Sequence, residues 1–148
     1  MKSKKKKKGF TLIELLVVIA IIGILSSIVF FAMRGATARA KDSKVVSAMS
    51  QLRSFAEIYY HDNNASFANL CTNAPTTITE WNTIMTEIDN NNGSAGAPTC
   101  HSDNTAGTNY CIKVQLNSGN WWCVDSGARS KQYSSTFSGC AADGEECE

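Results

Sequence analysis

The sequence predicts an α+β protein: one long N-terminal α-helix packed against a small antiparallel β-sheet head, stabilised by disulfides. Three observations carry this reading. An apolar run near the N-terminus passes into an amphipathic stretch, two alternating strands follow late in the chain, and six cysteines all lie at or beyond Cys71. No proline precedes Pro75, so nothing early in the chain obliges a helix to stop.

Residues 1–9 form a short basic leader, Lys2 and Lys4 to Lys8 closing on Gly9. From Phe10 to Met33 there are 24 residues, and Glu14 is the only charged one. About 20 apolar residues cross the hydrocarbon core of a bilayer as a helix, so residues 10–33 read as a transmembrane half. An ionised carboxylate at that depth is costly and requires a partner. At the start of a helix, negative charge also favours the dipole. Residues 34–62 turn amphipathic: Val45, Met49, Leu52, Ala56 and Tyr59 form an apolar stripe that Ala48 and Phe55 widen, with charges on the other faces. Together the two halves make a helix roughly 80 Å long at 1.5 Å per residue. Gly23 and Gly35 are its weak points, at about 1 kcal/mol each. Gly23 reads equally as a close-packing position and as a hinge.

Residues 63–148 form the head. Asn63, Asn64 and Ser66 mark the helix exit, and Trp81, Ile84, Met85 and Ile88 have the spacing of a short helix over 79–88 with a threonine cap. Asp89 to Gly96 reads as an outward-facing loop. Tyr110 to Leu116 alternates, with Ile112, Val114 and Leu116 on one face; Asn117 to Asn120 turns, and Trp121 to Asp125 returns as a hairpin. A third strand is expected near residues 131–137.

Composition narrows the function classes. The formal net charge is +1, yet Phe10 to Glu148 holds 8 basic against 13 acidic residues. A net of −5 does not favour a nucleic-acid partner. The lysines instead read as a cytoplasmic flank that leaves the rest of the chain outside the cytoplasm. Cys71, Cys100, Cys111, Cys123, Cys140 and Cys147 are even in number and lack close C-x₂-C pairs, which favours disulfides over zinc. Fifteen connectivities are open; Cys140 with Cys147, and Cys111 with Cys123, are two guesses. A tight turn at Ser118-Gly119 would set the second pair on opposite faces, which counts against it.

No catalytic residue and no cofactor is expected. Asp125-Ser126-Gly127 has the form of an aspartic-protease triplet without the second carboxylate such sites need, and reads as a turn. His61 and His101 sit in no metal-ligand spacing. The acidic tail Asp143 to Glu148 fits no defined calcium loop and reads as a solvated end pinned by Cys140 or Cys147. An ordinary secretory signal would be cut after Ala38 or Ala40 and release a disulfide-bonded domain. The apolar run is longer than such a signal's, and Glu14 interrupts it.

Lys8-Gly9-Phe10-Thr11-Leu12-Ile13-Glu14, with the apolar run Leu15 to Leu25, resembles the class III signal of type IV pilins and type II secretion pseudopilins. The resemblance covers about the first 55 residues. It implies that a prepilin peptidase cuts between Gly9 and Phe10 and methylates the Phe10 amine, leaving the apolar helix in place. It implies that Glu14 aids assembly by pairing with a Phe10 amine, its own or a neighbour's. The i,i+4 spacing puts that amine and Glu14 on one helix face. It further implies a helical homo-oligomeric filament, contact with membrane lipid and an inner-membrane assembly platform, a separate cytoplasmic ATPase, and single-pass residence in the inner membrane before assembly. The sheet packed across the second helix half is the pilin head arrangement. Many family members carry a proline in mid-helix; here Ser26 to Phe31 has none. A pilus subunit is slightly favoured over a pseudopilin by the cysteine-rich head, and a DNA-uptake subunit is disfavoured by the charge.

Overall fold

A computed structural model describes residues 9–72, 79–93, 95–140, 146 and 147. The lysines of the leader and most of the acidic tail lie outside them. The chain divides into two units, one ending at Thr37 and one beginning at Ala38. The elements are α1 (Leu12–Asp62), α2 (Thr79–Asn91), β1 (Thr99–Ser102), β2 (Tyr110–Gln115), β3 (Trp121–Asp125) and β4 (Ser130–Tyr133).

In the first unit α1 runs through Gly23 and Gly35 without a break, and a Cβ at either would meet nothing within 4 Å. Ser27 Oγ donates to Gly23 O at 2.9 Å and Thr37 Oγ1 to Met33 O at 2.6 Å. These hydroxyls are thus satisfied by their own helix.

In the second unit the predicted stripe is the core. Val45, Met49, Leu52 and Ala56 are fully buried, and Ala48 and Tyr59 nearly so. They pack with Trp81, Ile84 and Ile88 of α2 and with Tyr110, Ile112, Val114, Leu116 and Val124 of the sheet. The apolar periodicity of each element therefore points at one shared interior. Helix α1 ends where Asn64 and Ala65 take left-handed φ values of 55° and 58°, and the Ala65 N–H reaches Tyr60 O at 2.9 Å. The small, polar Asn64 suits that conformation. Farther on, Gly107 (φ 68°) must be glycine, because a Cβ there would collide with the Ser66 side chain.

The sheet is an antiparallel meander in the order β1-β2-β3-β4. The β2–β3 turn closes with Gly119 N–H on Leu116 O at 2.9 Å and Leu116 N–H on Asn120 O at 2.8 Å, with Gly119 at φ 84°. That is a three-residue loop, not a two-residue one. It pairs Cys111 with Asp125 and Lys113 with Cys123. Cys111 and Cys123 therefore share a face but stand diagonally, too far apart for a bond that needs Cβ atoms about 3.8 Å apart.

The bridges are Cys71–Cys100, Cys111–Cys140 and Cys123–Cys147. The guessed pairs Cys111–Cys123 and Cys140–Cys147 are corrected: each strand cysteine reaches off the sheet to the C-terminal segment. That segment covers the sheet's second face, where Phe137 stacks on Tyr133 at 4.1 Å and Lys113 Nζ donates to Gly139 O at 2.8 Å.

Four local readings change. Strand β1 arises from Thr-Cys-His-Ser, which lacks alternation and is ordered by pairing with β2. Helix α2 extends through Asn91, so the loop expected from Asp89 begins later. Asn92, expected to face outward, is 1% exposed; its N–H bonds Ile88 O at 2.9 Å and its amide donates to Gly96 O. The third expected strand is β4, shorter than residues 131–137 and starting one residue earlier.

Candidate functional site

Thr11 and Glu14 stand three residues apart at the start of α1, the spacing of a capping box. The Thr11 N–H donates to Glu14 Oε2 at 2.8 Å and the Thr11 hydroxyl to the same oxygen at 2.6 Å. The Glu14 N–H returns a bond to Thr11 Oγ1 at 3.3 Å. Two donors left open by the first turn are satisfied at once, and the carboxylate sits at the positive end of the helix dipole. Among the described residues Oε1 accepts no hydrogen bond, so one carboxylate oxygen is held while the other is open to a second donor. The T-x-x-E spacing is the signal that finds Thr11 as Glu14's partner.

Gly9 and Phe10 precede the helix, non-helical and exposed, Phe10 at 75%. The peptide bond between them thus lies in chain that α1 does not protect. From Leu12 to Met33 the large apolar side chains stand out on all sides, between 80% exposed at Leu12 and 46% at Val18. The stretch is long and apolar enough to cross a membrane. Among the described residues of its own unit such a surface has no partner, and it is far larger than a monomer in water tolerates.

The other predicted positions are not brought to this site. All six cysteines are bridged in the head. His61 ends α1 beside Asp62, while His101 lies in β1 opposite Cys111. Asp125 is more than a turn residue. Fully buried, it accepts the Arg129 N–H on Oδ1 at 2.9 Å and the Cys147 N–H on Oδ2 at 2.9 Å, with Arg129 Nη1 at 3.2 Å. The same guanidinium reaches Glu146 Oε2 at 2.8 Å. Asp42 of α1 holds the hairpin tip, accepting Asn117 N–H at 2.7 Å, Asn117 Nδ2 at 2.8 Å and Ser118 N–H at 3.2 Å. Both carboxylates are spent on structure. Sequence reading left them as an ordinary turn and a polar helix face, because their partners lie in elements whose placement only the fold supplies.

The family model for the prokaryotic N-terminal methylation motif matches residues 4–30. Among curated proteins, a type IV wide pilus major component of Thermus thermophilus is 43% identical over 65 residues, covering 44% of this chain and 50% of the relative. A fimbrial protein of Pseudomonas aeruginosa is 49% identical over 53 residues, 36% of this chain and 34% of the relative. A type II secretion system core protein G of Aeromonas hydrophila is 41% identical over 61 residues, 41% of this chain and 43% of the relative. The chain thus spans half or less of the length of these relatives. No solved structure matches it. These relatives are named as pilus, fimbrial and secretion-system core components. Over its N-terminal motif and apolar helix, the chain is thus similar to type IV pilins and to a type II secretion core protein.

Proposed function

We propose that the chain is a structural subunit of a type IV pilus-like filament. The precursor sits in the inner membrane by residues 10–33, with the lysine leader inside and the head outside the cytoplasm. A prepilin peptidase cuts between Gly9 and Phe10 and methylates the Phe10 amine, and an inner-membrane platform then draws subunits from lipid into a helical homo-oligomer. The observation that carries this reading is the lone carboxylate in a helix apolar on every face. Lipid solvates such a helix before assembly, and copies of the same helix can replace lipid afterwards, helix packing offsetting the lost contacts. Oε1 of Glu14 offers the methylated amine of Phe10, its own or a neighbour's, a place to bind. Charge neutralisation in the apolar filament core would then favour the correct stagger.

The position of Ala36 to Ala40 within α1 counts against an ordinary signal cut, because proteolysis favours extended, accessible chain. The likeness to a type II secretion core protein keeps a pseudopilin as the second reading. Mass spectrometry of the mature N-terminus tests the first: a methylated Phe10 is the expected result, and a start at Arg39 or Lys41 would sink it. Glu14→Ala should leave cleavage intact and lower filament yield; normal filaments would refute the pairing role.

A further inference from the structure

Three disulfides hold the head, and their surroundings differ. Cys111, Cys123, Cys140 and Cys147 are at most 1% exposed, beneath the C-terminal segment on one face of the sheet. Cys71 and Cys100 are only half-buried, and both line an open cavity of about 360 Å³ together with Thr72, Ser102, Asn104 and Thr105. Exchange requires a thiolate to approach one sulfur directly, so access decides which bridge reacts while the fold stands.

We propose that Cys71–Cys100 is a thiol-exchange site, the one bridge of the head that a dithiol opens without unfolding it. A thiolate of the dithiol bonds to one bridge sulfur, the S–S bond breaks, and the other cysteine leaves as a thiolate that takes a proton from water. The second thiol, deprotonated, attacks the mixed disulfide and frees the remaining cysteine. The bridge gains two electrons, and the dithiol leaves as its own disulfide. What opens is a tether. Cys71 closes the segment that follows α1, and Cys100 lies in edge strand β1. After opening, β1 keeps its pairing with β2, Phe67 and Leu70 keep their places in the interior, and both bridges of the covered face persist. The site stands apart from the filament reading and does not depend on it.

The test is a time course of the oxidised full-length chain in detergent with dithiothreitol and no denaturant. Samples are quenched with iodoacetamide and their disulfide-linked peptides mapped. The expected result is complete loss of the Cys71–Cys100 link and alkylation of both residues, while the other two links remain and the near-ultraviolet circular dichroism is unchanged. Simultaneous labelling of all six cysteines, earlier opening of either other bridge, or no labelling short of denaturation would each overturn the proposal. A Cys71→Ser/Cys100→Ser variant should take up no label in the same window; label on its four remaining cysteines would count equally against it. Should that variant fail to fold, the wild-type time course still decides.

Discussion

Two stretches of one helix, Leu12 to Met33 and Val45 to Tyr59, obey different rules. In the first, apolar residues occupy every face and stay exposed; in the second, they form one stripe and vanish into the interior. Both are helical and both are rich in apolar side chains, so helicity and hydrophobicity do not separate them. Arrangement does. A stripe can be buried by the chain's own sheet, whereas an all-round apolar surface can be satisfied only by lipid or by other chains.

The contrast can be broken by trimming one leucine in each stretch. Leu52→Ala removes a fully buried side chain from the shared interior and should cost the head roughly 2–5 kcal/mol of unfolding free energy. Leu16→Ala, at an exposed position, should change the same quantity by less than about 0.5 kcal/mol. Denaturant unfolding of the full chain in detergent, followed by tryptophan fluorescence, measures both. Equal losses would mean the two stretches do not differ as described.

A smaller effect tests whether polar groups on the second stretch also serve the head. Asp42→Ala leaves three N–H donors of the hairpin tip without their acceptor and should cost about 1–3 kcal/mol. An unchanged midpoint would show that water replaces the carboxylate at no cost.

The smallest effect has the opposite sign. The Tyr110 hydroxyl is buried without a hydrogen-bond partner among the described residues. Burial first, then the Glu57 carboxylate, hold its pKa well above the ordinary value near 10; Arg53 pulls the other way, and Asp125 adds the smallest upward push. The folded state therefore keeps a proton that the unfolded chain releases. The stability this provides is complete below about pH 10 and falls as pH rises through it, by up to about 1.4 kcal/mol per pH unit. Tyr110→Phe should leave stability at neutral pH unchanged or raise it by about 1 kcal/mol, and should flatten the alkaline fall. Identical alkaline profiles for the two proteins would rule the assignment out.

Much of this architecture was legible in the residues, and the reason lies in period. The α1 stripe, the 81-84-85-88 face of α2 and the alternation of Ile112, Val114 and Leu116 are local patterns that need no knowledge of partners. Strand β1 has no such pattern, and Asn92 looks like loop, because long-range pairing and a local turn decide both. Cysteine pairing was hidden for a sharper reason. One residue more or less in the β2–β3 turn changes which faces Cys111 and Cys123 occupy, and composition does not count turn residues. At the N-terminus Glu14 announced itself as the lone charge, while Thr11 became its partner only once the helix start was placed.

The bridge pattern also sets a timetable. As the chain is made, Cys100 is the first cysteine to follow Cys71, so consecutive oxidation yields the native Cys71–Cys100 bond. The next pair to appear is Cys111 and Cys123, which are not partners: one must wait for Cys140 and the other for Cys147. An oxidant that acts before the hairpin forms would join them wrongly, whereas a formed hairpin holds them diagonally apart. Correct oxidation of the head thus depends on β2 and β3 pairing before chemistry reaches their cysteines, so the order of folding protects the order of bonds.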